Sequence, residues 1–246
     1  MDLIEVNAVD KEYAKGFFAL KNLSFKVKSG DFVSIVGPFG CGKTTILNLL
    51  GGITENYFGA ITIRGKNPME AKKNRKIGYV FQQPTLLPWR NVTKNIALPQ
   101  ELIGIRDEGK INQLLCLVNL ESVALKMPAD LSGGMKQLVS IARSLILDPD
   151  VLLLDEPFSS IDEINRTKLH LKLLDIHKKT HKTTLLVTHS LSEAVFLSDQ
   201  VIVLTCRPAK VKKVINITLS HRDEDILFSE EFLNYKKAVK TALANV

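Results

Sequence analysis

The sequence predicts an α/β fold, with a mainly parallel sheet, an antiparallel β portion at the N-terminus and a helical insertion. Three observations predict it. The apolar run Phe32–Val36 leads through the glycine-rich stretch GPFGCGKTT, Gly37 to Thr45, into the helix formers of Lys43–Leu50. Val151–Leu154 is a continuous apolar run of the kind buried on both faces of a parallel sheet. After it, helical and strand-like stretches alternate, as in βαβ units.

Taken in order, Leu3–Val9 and Leu20–Val27 alternate weakly and predict two early antiparallel strands, with Tyr13 between them. After the helix that opens at Lys43, strands are expected at Ala60–Ile63 and Ile77–Phe81, separated by a polar, basic stretch containing Gly65, Asn67 and Pro68. From Pro84 to Pro128 the pattern turns mainly helical, with Leu114, Leu115, Leu117 and Val118 forming an apolar face. A second half of the core starts at Leu131. It comprises a helix over Gly134–Leu147, the buried strand, a helix over Asp162–Lys179, a strand at Thr184–Val187, a short helix from Ser192 and a strand at Val201–Thr205. One more strand, Val211–Leu219, and a final helix from Ser229 complete the chain, the acids Glu230 and Glu231 suiting a first helical turn.

Composition narrows the function classes. With 246 residues and 45% hydrophobic content the chain can bury a full core, as one large domain or a core with a small subdomain. The 33 basic and 26 acidic residues give a net charge of +7, which suits nucleotides, acidic headgroups or nucleic acid without choosing among them. The most basic run, Lys72–Lys76, reads as a solvated face. The first residues do not resemble a secretory signal, and no apolar stretch approaches the ~18 residues needed to span a bilayer. A cytosolic protein is expected, any membrane work being peripheral or done through a partner. Cys41, Cys116 and Cys206 lack a C-x-x-C pair, which argues for reduced thiols rather than a zinc site or disulfide framework. His177 and His181 lie four apart on a helix, but the surrounding lysines predict a solvated helix end.

The chemistry starts at Gly37. Gly37, Gly42, Lys43 and Thr44 fit G-x-x-x-x-G-K-[ST], in which backbone N–H groups of a glycine turn and of a helix start converge on a triphosphate. Lys43 supplies a point charge for the β- and γ-phosphates and Thr44 a hydroxyl for Mg²⁺. In VLLLDEP, Asp155 and Glu156 stand at the end of a buried strand, where ligands of parallel sheets gather. Asp155 is expected to orient water on Mg²⁺ with Thr44, and Glu156 to accept a proton from the water attacking the γ-phosphate. Cys41, among the loop N–H groups and near Lys43, is expected to have a lowered pKa and a thiol reactivity blocked by ATP.

With LSGGMKQ, Leu131 to Gln137, added to GPFGCGKTT and VLLLDEP, nearly the whole chain resembles the ATP-binding subunit of ABC transporters, a P-loop NTPase core with a helical subdomain. The resemblance implies a single domain over 1–246, with the helical subdomain starting at about 84–130 and continuing into the signature helix at 131–147. It also implies a head-to-tail pair of subunits, a homodimer, sandwiching ATP between Gly37, Pro38, Phe39, Gly40, Cys41, Gly42, Lys43, Thr44 and Thr45 of one chain and Ser132, Gly133 and Gly134 of the other. Further positions follow one by one. Gln82 in VFQQP resembles the glutamine that senses Mg²⁺ and the γ-phosphate, with Gln83 as a neighbouring register. His189 in VTHS resembles the switch histidine and Asp162 the interface aspartate, although Ile161 replaces the commoner leucine. Tyr13 resembles the aromatic that stacks on adenine, with Phe17 and Phe18 as rivals.

LLPWRNVTKNIALP and VLTCRPAKV resemble segments of nitrate, taurine and alkanesulfonate importer ATPases, a related branch handling pyrimidine precursors. That resemblance implies an ATPase at the cytoplasmic face of the membrane, driving a separate permease fed by a solute-binding protein, with Leu86–Trp89 toward the permease and no nucleic acid as partner. A soluble ABC ATPase, such as one of iron–sulfur cluster assembly, is the alternative.

Overall fold

The computed structural model describes residues 1–244. Its first layer is a long hairpin of β1 (Asp2–Ala14) and β2 (Phe17–Lys28), turned at Gly16 with φ +82°. Both strands run further than the alternation suggests, and Tyr13 lies within β1 rather than between the strands. Register shifts between Val6 and Val9, and again up to Ala14, interrupt the in-out alternation, so the periodic signal fades while the pairing continues. β3 (Phe32–Val36) and α1 (Lys43–Leu50) flank the glycine loop, and β4 (Phe58–Ile63) pairs antiparallel with β1 to close a three-stranded sheet, β2-β1-β4.

A helix not expected from the sequence, α2 (Pro68–Lys73), occupies the polar, basic stretch. Its signals are local: the Asn67 side chain accepts from Glu70 N at 2.9 Å, Pro68 fills the first turn, and Lys72 and Lys73 complement the C-terminal end. β5 (Ile77–Val80) follows. Then come α3 (Val92–Glu101), α4 (Glu108–Leu117) and α5 (Gly133–Leu145), whose apolar faces bury Ile96, Ile111, Leu114, Leu115 and Ile141. The remainder is β6 (Val151–Asp155), α6 (Glu163–Thr180), β7 (Thr183–Val187), α7 (Leu191–Leu197), β8 (Gln200–Leu204), β9 (Val211–Asn216) and α8 (Glu230–Ala244).

The second sheet has the order β5-β6-β7-β3-β8-β9 and is parallel except for β9. Its inner strands are buried on both faces, and alternate residues feed two cores. Phe32, Val36, Leu152 and Leu154 face the helical layer, whereas Val33, Ile35, Val151 and Leu153 face α1 and the antiparallel sheet. The parallel register, with Ile35 opposite both Val187 and Ile202 and Asp155 opposite Val187, lines up the carboxyl ends of β3, β6, β7 and β8 at one edge. His177 does not lie on the solvated face of α6. That turn lies against the sheet, so the ring meets Phe32 edge-on at 5.2 Å and its Nδ1 is 3.2 Å from Thr184 Oγ1, while burial pushes its pKa down. His181 is exposed and ends the helix in a left-handed conformation with φ 52°.

Candidate functional site

The loop from Gly37 to Thr45 is shaped by close contacts as well as by backbone angles. A Cβ on Gly37 would meet Cys41 Sγ at 2.9 Å and Leu204 Cβ at 3.0 Å, and Gly42 adopts φ +121°, where an L side chain is strained. α1 has no side-chain cap, so the N–H groups of its first turn stay available to an anion. Lys43 is only 7% exposed. Its Nζ donates to the carbonyls of Gly37 and Pro38, both at 3.1 Å, which holds the ammonium inside the curl of the loop.

Across from the loop, Thr44 Oγ1 donates to Asp155 Oδ1 at 3.2 Å. Asp155 is buried at the end of β6, and that burial pushes its carboxyl pKa up despite the Thr44 bond. A nearby cation would offset that cost. Hydroxyl, carboxylate and the amide of Gln82 form a hard-oxygen donor set around one cavity, which fits Mg²⁺ held by few protein ligands, phosphates and water.

Glu156 follows on the same strand end with φ 44°, a sparsely populated conformation for a residue other than glycine. Its Oε2 lies 3.0 Å from His189 Nδ1, which stands just beyond β7. The His189 turn is itself braced. Thr188 Oγ1 accepts from Ser190 N at 3.0 Å and donates to Glu193, whose other oxygen meets His170 Nε2 at 3.0 Å. Little in the sequence marks this Thr188–Glu193–His170 chain. The only local cue was the S-x-x-E spacing of Ser190 and Glu193, a capping-box pattern in which Ser190 accepts from Glu193 N at 3.3 Å.

A cavity of about 350 Å³ gathers these groups: Phe39, Gly40, Gly42, Lys43, Thr44 and Thr45 from the loop, with Gln82, Asp155, Glu156 and Arg207. No local sequence pattern marks Arg207 for this place. Gln82 Nε2 donates to Ser159 Oγ at 3.3 Å, and Ser159 returns to Glu156 O at 3.0 Å, linking the glutamine to the acid. Tyr13, 51% exposed, has its hydroxyl 3.1 Å from Thr45 Oγ1 at the loop end. Each of the three rings carries a cation: Tyr13 the Lys11 ammonium at 5.0 Å from its centroid, Phe17 the Arg207 guanidinium at 3.6 Å and Phe18 the Lys21 ammonium at 5.4 Å.

Ser132, Gly133, Gly134 and Asp162 do not line this cavity. Ser132 caps α5, accepting from Met135 N at 3.3 Å, and Gly133 has open space where a Cβ would be. Asp162 caps α6 through Asn165 N at 3.0 Å, and its bonds to Asn165 hold its carboxyl below the usual range. The departure at Ile161 is absorbed by packing, since that side chain is buried in the helical-layer core.

Cys41 requires a correction. It is 1% exposed, with its Sγ close under Gly37, and burial pushes the thiol pKa up against the opposing pull of Lys43. We therefore expect iodoacetamide to label the exposed Cys116 and Cys206 of the native protein while Cys41 stays unmodified with or without Mg-ATP. Peptide mass mapping checks it; ATP-sensitive labelling of Cys41 would restore the reactive thiol.

The profile of the ABC transporter family matches residues 20–159. An ABC transporter ATP-binding protein of Methanocaldococcus jannaschii is 42% identical over 229 residues, covering 92% of this chain and 84% of that protein. The aliphatic sulfonates import ATP-binding protein SsuB of Bacillus cereus is 36% identical over 240 residues, covering 96% and 94%. The nitrate import ATP-binding protein NrtC of Synechocystis is 39% identical over 229 residues, covering 89% of this chain and 34% of that one. Among solved structures, a dimeric ATP-binding cassette in a post-hydrolysis state with ADP and Pi superposes with a TM-score of 0.75 at 29% identity, covering 88% of this chain and 99% of that one.

Proposed function

The chain belongs to the ABC transporter family as one of its ATPases, and from that premise we propose that it powers import of a small solute, such as nitrate, taurine or an alkanesulfonate, through a separate transmembrane permease. The observation that carries the hydrolytic reading is the Glu156–His189 pair, 3.0 Å apart at the edge of the cavity that Lys43, Thr44 and Asp155 line. In this reading the loop N–H groups and Lys43 hold the phosphates of the substrate ATP. Glu156 takes the proton of the attacking water, and His189 orients Glu156 and senses the γ-phosphate. Mg²⁺, held through Thr44, Asp155 and Gln82, supplies charge neutralisation to the transferring phosphoryl group when bound.

Ser132–Gly134 and Asp162, lying outside the cavity of their own chain, are free to meet the nucleotide of a second copy. Two copies of this chain then enclose two ATP molecules head to tail, and loss of the γ-phosphate shifts the pair toward an open state. The dimeric cassette among its structural neighbours supports that assembly.

The stretch from α3 to α5 forms the helical subdomain that transmits this motion. Its α5 holds the exit of β5 through Arg143, whose guanidinium donates to Pro84 O and Thr85 O at 3.0 Å, close to Gln82. Next to it, buried Asn95 ties down Leu87 and Arg90 through their carbonyls and leaves Trp89 70% exposed, an aromatic anchor for a permease helix. Among the described residues no helix is long and apolar enough to cross a membrane.

Affinity purification from gently solubilised native membranes tests this. Copurification of a polytopic permease is expected, with recovery reduced by Trp89→Ala. Recovery with iron–sulfur assembly proteins and without any permease would replace the importer reading by the soluble alternative.

A further inference from the structure

Two cations line the nucleotide cavity, and only Lys43 comes from the glycine loop. The other, Arg207, is placed by the sheet. β8 runs beside β3, with Val36 opposite Val203, so the chain leaving β8 passes the loop leaving β3, and Leu204 packs against Gly37. The turn that follows is closed by Thr205, whose N donates to Lys210 O at 3.0 Å and whose Oγ1 accepts from Lys210 N at 3.0 Å. It is also stitched to β2, since Ala209 N donates to Ala19 O at 2.9 Å and Lys21 N donates to Ala209 O at 3.1 Å.

The guanidinium itself is held twice more. Its carbon lies 3.6 Å from the centroid of the Phe17 ring, and Nε donates to Phe18 O at 3.3 Å. The side chain is exposed, and among the described residues its two terminal nitrogens have no protein acceptor. Asp155 and Glu156 share the cavity but form no ion pair with it, being engaged by Thr44 and His189. A planar cation fixed by stacking, with four N–H groups unspent, at an anion-binding cavity fits the fork-like recognition of a phosphate.

We infer that Arg207 is a nucleotide-contacting residue, its terminal N–H groups binding phosphate oxygens of ATP and Phe17 holding it in place. This rests on the reading of the cavity as the ATP site. It also gives Phe17 a job other than stacking on the base.

Equilibrium titration of the full-length protein with Mg-ATP, alongside its melting temperature without nucleotide, tests the inference. Arg207→Gln is expected to weaken ATP binding about tenfold, the loss of one charge-assisted contact. Arg207→Lys, which keeps the charge but not the fork, and Phe17→Leu, which removes the stack, are each expected to weaken it roughly threefold. The melting temperatures without nucleotide stay close to that of the unaltered protein. Affinity within twofold of the unaltered protein in Arg207→Gln, or a lowered melting temperature at unchanged affinity, would overturn the inference and make Arg207 a brace of the hairpin. If Arg207→Gln does not fold, unchanged affinity in Arg207→Lys overturns it instead. Failure of the unaltered protein to bind Mg-ATP would strike the ATP-site reading itself, a separate result.

Discussion

Glu156→Gln is expected to lower ATP turnover by about 10²–10⁴-fold, the usual worth of a positioned general base, while ATP binding is retained. Gln is close to isosteric and can still meet His189 Nδ1, but it cannot take up the proton of the attacking water. The position of Glu156 owes little to its carboxylate. Its N donates to Val187 O at 2.9 Å, and its O accepts from Ser159 Oγ at 3.0 Å, so the backbone holds the φ of 44° after the substitution. The measurement pairs phosphate release under saturating Mg-ATP with equilibrium binding. Turnover equal to the unaltered protein would remove Glu156 as the base; loss of both binding and turnover would show that it serves the nucleotide's ground state instead.

Lys43→Ala acts on the other half of the cycle. The ammonium is nearly buried, and its removal takes away the point charge for the β- and γ-phosphates. A hydrogen bond to a charged group contributes about 1.5–3 kcal/mol, so ATP affinity should fall roughly 10²-fold, with turnover at low ATP falling at least as far. The loop should also loosen, since the carbonyls of Gly37 and Pro38 lose their common donor. Calorimetric titration with Mg-ATP reads the effect, and an unchanged dissociation constant would contradict the phosphate role.

The parts of the fold legible in the sequence are those where one local rule acts alone. β3, β6 and β7 are buried on both faces, so continuous apolar runs mark them whatever lies around them, and the Gly37–Thr45 spacing marks the turn between strand and helix. The ends of β1 and β2 were not legible, because bulges shift the alternation and the pairing near Tyr13 depends on the partner strand. α2 was overlooked for a different reason. At six residues it has too few turns to show a period, and only its Asn67 cap and Pro68 announce it.

Within the site, charges whose state depends on burial were misjudged. Proximity to Lys43 suggested an activated Cys41, but it is buried in a core that also takes in Leu204 of β8, more than a hundred residues away in sequence. His177 was misplaced in the same way, by lysines that neighbour it in sequence while Phe32 neighbours it in space. Arg207 was hidden because its meaning lies in the ring of Phe17, brought to it by the hairpin. Ser132 and Asp162 cap helices outside the cavity of their own chain, and a part in nucleotide binding would need a second chain.

That second chain is the central claim, and it is tested most directly by sedimentation of Glu156→Gln with and without Mg-ATP. The account predicts a monomer without nucleotide that becomes a dimer with Mg-ATP, and a return to monomer when Ser132 is replaced by a bulky acid in Ser132→Glu. A Glu156→Gln protein that binds Mg-ATP yet remains monomeric at every concentration would contradict a site completed across two copies of the chain.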